Sequence, residues 1–129
     1  MPTNPVVAAC EVSAMTKNEV LALVAELRPH EHSEAVMLRW LEELEKKIAL
    51  EIHGRSPDYP PYTVASHEQL SVKAPYDRVY WTYLVSMIDF VSGELEVFDR
   101  SNALFKEAYA DYARFAQRHK YHSKRRFAH

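Results

Sequence analysis

The chain has 129 residues, of which 47% are hydrophobic and 26% charged, values that are typical of one soluble globular domain. Its two glycines, Gly54 and Gly93, are too few for a series of tight hairpins or a phosphate-binding loop, so the composition predicts an all-α fold. The single cysteine, Cys10, cannot form an intramolecular disulfide, and no apolar run reaches the roughly 18 to 20 residues of a membrane span, so we expect a cytoplasmic protein without membrane contact.

Charge is distributed unevenly along the chain, although the formal net charge is only −2. Residues 1–99 hold 8 Lys and Arg against 16 Asp and Glu, whereas residues 100–129 hold 8 against 2. The sequence therefore predicts an acidic body with a basic carboxyl end. Such a distribution can bind an acidic partner, nucleic acid included, or can join the positive end of one subunit to the negative face of the next.

The first helix is predicted to begin at Thr16, because Glu19 lies three residues on and completes a capping-box pattern. Apolar residues then recur on one helical face, and the helix is expected to end before Pro29. Residues 1–14 precede this start and are predicted to form an amino-terminal arm. The arm is either an extension from an upstream start or a segment that becomes ordered only on a partner.

A second helix is predicted between Ser33, a favourable N-cap, and Gly54, which suits the position after a helix end. Its apolar side is formed by Met37, Leu41, Leu44, Ile48 and Ile52, widened by Leu38 and Trp40. The charged residues between them, Glu45 included, are expected to face solvent, where Glu and Lys four residues apart form favourable pairs.

Residues 54–75 contain four prolines and no helical period, which predicts a long connection between the second and third helices. Within it, residues 62–65 and 69–72 could each form a short strand. The aromatic and proline side chains can either pin the loop to a groove of another protein or cover the end of the helical bundle. The candidates for contact with a neighbouring protein are Tyr59, Pro60, Pro61, Tyr62, Leu70 and Val72.

The third helix has the strongest apolar pattern in the chain. Pro75 is predicted at its first position, where a missing N–H costs nothing, with Asp77 in the first turn and Gly93 after its end. One stripe, spaced by three and four residues, is formed by Tyr76, Val79, Tyr80, Tyr83, Leu84, Met87, Ile88 and Val91. A compact fold has to bury this stripe, so we expect the rest of the chain to pack around it.

A heptad pattern follows Gly93 and predicts a fourth helix. Its positions are Leu95, Phe98, Asn102, Phe105, Tyr109, Tyr112 and Ala116. Because the pattern is in phase with Ile88 and Val91, the third and fourth helices could also be one. We favour a break, since Ser92 and Gly93 form a C-cap pair and an uninterrupted helix would reach ~65 Å. The polar Asn102 either fixes the register of the seam or lies in a kink.

Residues 120–129 are predicted to form a basic tail that follows a helical domain of residues 15–119. The basic side chains of this end are Arg118, Lys120, Lys124, Arg125 and Arg126. They belong either to a solvated tail or to a segment that contacts nucleic acid phosphates or an acidic subunit surface. In the second case each neutralised charge makes binding depend on salt.

No residue pattern indicates an active site, a metal site or a cofactor. His30 and His32 lie close in sequence, as do His119 and His122, but no cysteine pair or His-Glu-x-x-His pattern accompanies them. Phosphate loops, dinucleotide fingerprints and nucleophile elbows are also missing. The carboxylates interpreted as helix-start and surface residues are Asp77, Asp89 and Glu94. We therefore expect a protein that is not an enzyme and binds neither metal nor cofactor.

Short segments between residues 15 and 119 form a pattern of packing and loop residues. They are Met15-Thr16 with Glu19-Val20-Leu21, Arg39-Trp40-Leu41 with Glu43-Leu44-Glu45, Tyr59-Pro60-Pro61-Tyr62, Leu70 with Val72, Pro75-Tyr76-Asp77, Tyr80 with Tyr83, Ile88-Asp89, Gly93-Glu94, and Asn102 with Phe105, Ala108 and Tyr109. In this order and spacing they resemble small helical proteins encoded by tailed bacteriophages and prophages, which are usually assigned as head-to-tail connector or adaptor proteins. The chain departs from that pattern at both ends, with the additional residues 1–14 and a more pronounced basic tail.

The resemblance implies a structural virion protein of the neck, assembled in the host cytoplasm. Subunits of this family form a ring, typically twelve-fold, beneath the portal, where the ring extends the DNA channel and docks the next neck or tail component. The implied partners are further copies of the chain, the portal protein, a downstream neck or tail-completion protein, and passing DNA bound without sequence specificity. The basic tail could then face the channel or insert into the portal.

A second interpretation is a small helical nucleic-acid-binding regulator. In it the basic carboxyl-terminal residues would bind phosphates and the helices would form a dimer. This interpretation is weaker because the predicted folded part is acidic and no helix-turn-helix recognition helix with exposed Arg, Gln or Asn stands out.

Overall fold

The computed structural model describes residues 15–55 and 69–127. Within these ranges the chain forms four helices, which are α1 (Lys17–Leu27), α2 (Glu34–Glu51), α3 (Arg78–Ser92) and α4 (Leu95–Phe127). The same ranges contain no strand, only an isolated antiparallel bridge between Thr16 and Gln69. The predicted all-α bundle of about four helices is therefore confirmed. No helix in the described ranges is both long and apolar enough to cross a membrane.

Local capping signals define the first two helix starts as the sequence predicted. The Thr16 hydroxyl accepts from the Glu19 N–H at 3.2 Å, and the Thr16 N–H donates to the Glu19 carboxylate at 2.8 Å, so the capping box is complete. The Ser33 hydroxyl accepts from the Val36 N–H at 3.2 Å and caps α2. Both caps satisfy backbone donors that would otherwise lack a partner.

The start of α3 differs from the prediction. Pro75 follows a cis peptide bond and lies in a turn, in which the Tyr76 N–H donates to the Lys73 carbonyl at 3.0 Å. Because the turn uses these residues, the helix begins only at Arg78, and Asp77 is its N-cap without a side-chain hydrogen bond to the helix. The prediction that Pro75 is the first helical residue is wrong.

The break at Gly93 is confirmed. Gly93 has a φ of +79°, the left-handed conformation that favours glycine, and its N–H donates to the Phe90 carbonyl at 3.1 Å. The chain then reverses, since the ring of Phe90 lies 5.3 Å from that of Phe98, and the Arg78 guanidinium lies 3.0 Å from the Asp111 carboxylate. Helices α3 and α4 are therefore an antiparallel hairpin.

The hydrophobic core lies where α1, α2 and the segment 69–72 pack on this hairpin. Its buried apolar residues are Val20, Val24, Met37, Leu41, Leu44, Ile48, Leu70, Val72, Val79, Tyr80, Leu84, Val85, Ile88, Ala108 and Tyr112. Helix α3 also buries Thr82 and Ser86, whose hydroxyls donate to carbonyls of their own helix, so these polar groups cost little in the interior. Four residues of the predicted stripe of α3, Val79, Tyr80, Leu84 and Ile88, thus belong to the core.

The predicted seam of α4 is only partly buried. Of the seam residues Tyr112 is buried and Leu95 is 67% exposed, while the other buried residues of α4, Ser101 and Ala108, lie beside the seam. Leu95 lies in the first turn after the chain reversal, and α3 has already ended at Ser92, so the preceding helix offers little surface to cover it. The prediction that Val91 and Leu95 belong to the buried faces is wrong.

Helix α4 also continues beyond the boundary predicted at residue 119. Its backbone is helical through Phe127, so the basic residues from Lys120 onward extend the helix. The division into a helical domain of residues 15–119 and a basic tail of residues 120–129 stays a prediction.

Candidate interaction surfaces

The chain that follows the long loop is fixed to the bundle by backbone and side-chain hydrogen bonds. The Leu70 N–H donates to the Met15 carbonyl at 2.9 Å, next to the bridge between Thr16 and Gln69. The side chains of Leu70 and Val72 are 2% and 0% exposed. This segment was predicted as a possible strand, but its bridge partner is the start of α1, while residues 62–65 lie outside the described ranges.

A buried carboxylate on α2 completes this attachment. Glu45 accepts from the Ser71 N–H and the Ser71 hydroxyl, both at 2.9 Å, and from the Tyr80 hydroxyl at 2.6 Å. The Tyr80 oxygen in turn accepts from the Val72 N–H at 2.8 Å. Burial, and then the negative charge of Glu45, raise the pKa of Tyr80 far above its ordinary value, so the phenol stays a donor. The prediction that Glu45 faces solvent is wrong.

These contacts decide which loop residues remain candidates for binding. The side chains of Leu70 and Val72 pack inside the chain, so they hold the loop to the bundle and offer little surface to a neighbour. Tyr59, Pro60, Pro61 and Tyr62 lie in residues 56–68, outside the described ranges, and stay predictions. The described chain shows that both flanks of this loop are attached, at the end of α2 and at residue 69.

A cavity of about 550 Å³ opens between the end of α2, Ser71 and α4. Its lining residues are Ile52, His53, Arg55, Ser71, Tyr112, Phe115, Ala116 and His119. A second cavity of about 310 Å³ adjoins it through Ser71, Tyr112 and Phe115. The His53 Nε2 and the Tyr112 hydroxyl lie 2.7 Å apart, which fixes both rings at the rim.

The cavity is lined by imidazole, guanidinium, phenol and apolar groups, and no carboxylate is among its described lining residues. Burial, and then the charge of Glu45, raise the pKa of Tyr112, so its phenol stays protonated at neutral pH. Across residues 15–55 and 69–127, no group of three His, Cys, Asp or Glu side chains could hold a metal ion.

An ion pair, rather than a surface carboxylate, is found at Asp89. Asp89 is buried, and its carboxylate accepts from Nη2 of Arg28 at 3.0 Å. The Nε of Arg28 also lies 2.9 Å from the other carboxylate oxygen, although its N–H is poorly aligned for a hydrogen bond. The pair connects the end of α1 to α3, so the prediction of Asp89 as a surface residue is wrong.

One exposed apolar surface lies where α3 and α4 meet. We call it the hairpin tip, formed by Phe90, Val91, Leu95 and Phe98, of which the first three are 57%, 53% and 67% exposed. Exposed acidic residues flank it, namely Glu94, Glu96 and Asp99, with one exposed cation at Arg100. Sequence periodicity missed this surface because it assigned Val91 and Leu95 to buried faces. The acidic residues after Gly93 are the sequence feature that indicates an exposed surface there.

A second surface lies at the opposite end of α4. The ring of Phe115 stacks on Tyr76 at 4.6 Å, and from there α4 runs 12 residues, or ~18 Å, to Phe127. We call residues 114–127 the basic end, because they contain six Lys and Arg and no Asp or Glu. Arg118 is exposed, and Lys120, Lys124, Arg125 and Arg126 follow it on the same helix. The structure thus places all five predicted basic candidates on one helical end.

Comparison with known proteins adds no relative, since no protein-family model, no curated protein and no solved structure matches the chain.

Proposed function

We propose that this protein is a structural virion protein, a head-to-tail connector that forms a ring under the portal. In this role the ring extends the DNA channel and docks the next neck or tail component. The proposal rests on the order and spacing of the segments between residues 15 and 119 and on the surfaces described above. Both fit a subunit whose functional residues are those that contact neighbouring proteins.

The observation that carries the proposal is the separation of two unlike surfaces by one helix. From Leu95 to Phe127, α4 spans ~48 Å, with the acid-flanked hairpin tip at one end and the basic end at the other. A cyclic ring requires two different complementary surfaces on every subunit, whereas a two-fold dimer uses one surface twice. A subunit built in this way suits a ring.

The described residues that flank the long loop support the same role. The Arg55 N–H donates to the Ala49 carbonyl after α2, and Leu70 and Ser71 are held by Met15 and Glu45. Binding residues are often found on loops that a rigid scaffold positions. We therefore keep Tyr59, Pro60, Pro61 and Tyr62 as candidates for contact with the portal or the next neck protein.

Electron microscopy of the protein mixed with a matching portal protein tests the function directly. We expect ring-shaped density added beneath the portal, with the portal's own symmetry. The variant Tyr59→Ala with Tyr62→Ala should weaken the added density, whereas Leu104→Ala, which changes an exposed apolar residue on α4, should not. Portal particles without added density at any mixing ratio would contradict the proposal.

The basic end also favours a second candidate, a nucleic-acid-binding regulator. Six cations on an extended helical end could neutralise phosphates and bind duplex DNA at low salt. Tight duplex binding that is lost on deletion of residues 118–129, in a protein that stays a dimer and does not bind portal, would favour the regulator. Duplex binding that is weak and independent of those residues would exclude it.

A further inference from the structure

The hairpin tip is an exposed apolar surface of the kind that binds a partner. Phe90, Val91 and Leu95 are each more than half exposed, and the neighbouring ring of Phe98 lies 5.3 Å from Phe90. Four large apolar side chains within nine residues form more than the single scattered apolar residues that are usual on a protein surface. The described core does not include these four residues. It lies on the inner faces of α3 and α4, against α1, α2 and the segment 69–72.

Charge decides what kind of occupant fits. Glu94, Glu96 and Asp99 flank the tip, and Arg100 is the one cation between residues 93 and 100. The net charge of this stretch is therefore −2, and all four side chains are exposed. A partner with apolar or aromatic residues among several cations would match both the surface and its charge.

The same chain contains such a partner. Residues 114–127 have six Lys and Arg, no acid and, beyond the stacked Phe115, two aromatic residues, Tyr121 and Phe127. The backbone of this end is helical, so the segment is a preformed element.

The two surfaces cannot meet within one molecule. They lie at opposite ends of the continuous helix α4, and Phe98 of the tip and Arg114 of the basic end are 16 residues, or ~24 Å, apart along it. We propose that the hairpin tip of one molecule binds the basic end of a second copy of the same chain.

Each bound pair leaves one tip and one basic end unused, so the contact is heterologous and can add further copies, and it forms a ring where its rotation closes. The inference deepens the connector function, because it names the contact between ring subunits. It also gives the basic end a protein partner in place of DNA. The surfaces are small, so one contact is weak, and ring closure adds the strength that a single contact lacks.

Sedimentation velocity of the full-length protein, without portal, tests the contact. We expect association that increases with protein concentration and weakens as salt is raised, because the acidic groups of the tip and Arg114 and Arg118 of the basic end are exposed to solvent. A parent protein that sediments as a monomer at every soluble concentration in low salt would overturn the proposal.

Two matched variants locate the surface. Leu95→Asp puts a carboxylate into the tip at the first residue of α4, where an acid suits the helix dipole and folding is not threatened. Leu104→Asp adds the same charge to the same helix, nine residues and two and a half turns away, on the opposite face. We expect Leu95→Asp to weaken association at least ~10-fold and Leu104→Asp to change it less than ~2-fold. Equal effects would contradict the assignment.

A mixing experiment separates a head-to-tail contact from a symmetric one. Leu95→Asp keeps its basic end, and a chain lacking residues 118–129 keeps its tip, so each should be monomeric alone. Mixed at equal concentrations, they should form a dimer and nothing larger. If the truncated chain associates as the parent does, the contact is tip to tip and the proposal fails.

Charge exchange provides the final test. Lys124→Glu with Arg125→Glu should weaken association, and Glu96→Lys with Asp99→Lys in the same chain should restore it. If association is unchanged while duplex DNA binding is lost in Lys124→Glu with Arg125→Glu, the basic end serves nucleic acid and the inference is wrong. Portal binding is measured separately, so a chain that binds portal without this contact would retain the connector function.

Discussion

Glu45 shows how a single side chain attaches the second half of this molecule to the first. It is 3% exposed, yet its carboxylate accepts hydrogen bonds from the backbone and side chain of Ser71 and from the phenol of Tyr80. A buried charge is tolerated only when such donors surround it. The same bonds hold the chain that follows the long loop, so the position of residues 69–72 depends on this residue.

We predict that Tyr80→Phe lowers the free energy of unfolding by about 3 kcal/mol, because Glu45 loses a donor and the buried Val72 N–H loses its acceptor. Tyr83→Phe is the matched control on the same helix and should change the free energy of unfolding by ~0.5 kcal/mol or less. Urea unfolding followed by circular dichroism measures both. Equal losses for the two variants would contradict the role of this network.

The exposed pair of Glu51 and Tyr109 predicts a pH dependence. The Tyr109 hydroxyl donates to Glu51 at 2.6 Å and, together with Lys47, lowers the pKa of Glu51 below its ordinary value of 4.5. Since the folded pKa is lowered, this interaction stabilises the fold above the ordinary pKa and is lost as pH falls through the folded pKa.

In Tyr109→Phe, the pKa of Glu51 should rise, but stay below 4.5 because Lys47 remains 3.0 Å away. An NMR titration of the Glu51 side-chain carboxyl group measures this shift. Tyr83→Phe is the control, in which the pKa of Glu51 should not change. An unchanged pKa of Glu51 in Tyr109→Phe would show that Tyr109 does not set it.

At the scale of the elements, the reversal at Gly93 determines which residues become the hairpin tip. Helix α3 ends at Ser92, one residue after Val91, and α4 starts at Leu95, two residues after Gly93, so apolar residues from both helices lie beyond the surface that the hairpin buries. A continuous helix would have carried them along one face instead. The glycine therefore creates the surface on which the proposed contact depends.

Gly93→Ala should lower the free energy of unfolding by about 1 to 2 kcal/mol, the cost of a left-handed conformation for a residue with a Cβ. The added methyl would have no heavy atom within 4 Å, so the loss reflects backbone conformation alone. Gly93→Asn should lose less, because asparagine adopts this conformation more readily. Urea unfolding distinguishes the two, and a larger loss in Gly93→Asn would contradict the explanation.

At the scale of the whole molecule, α4 connects a packed half to a projecting half. Its first part packs against α3, with Ala108 and Tyr112 in the core, and its last part continues after the stacking of Phe115 on Tyr76. Substitutions in the described body and in the basic end should therefore have independent effects on stability. This arrangement suits a subunit whose helix end contacts a neighbour.

Deleting residues 120–129 should remove about a tenth of the helical circular dichroism signal, the share that residues 120–127 contribute to the four helices. The melting temperature should stay within ~2 °C of the parent, since the core residues precede the deletion. A melting temperature lowered by ~10 °C or more would show that the basic end packs on the body.

Sequence alone determined the features of this protein that depend on neighbouring residues. The caps at Thr16 and Ser33 and the reversal at Gly93 need hydrogen bonds and backbone angles within three or four residues, so local patterns predicted them. The all-α fold followed from the same local signals and from the spacing of apolar residues.

Only the tertiary structure decided which of these residues are buried. Glu45 and Asp89 lie inside because Tyr80 and Arg28 reach them from elements 35 and 61 residues away, and Leu95 is exposed because α3 ends before it. Helical periodicity reports which residues share a face, but burial depends on what packs against that face, and that partner is set by contacts distant in sequence.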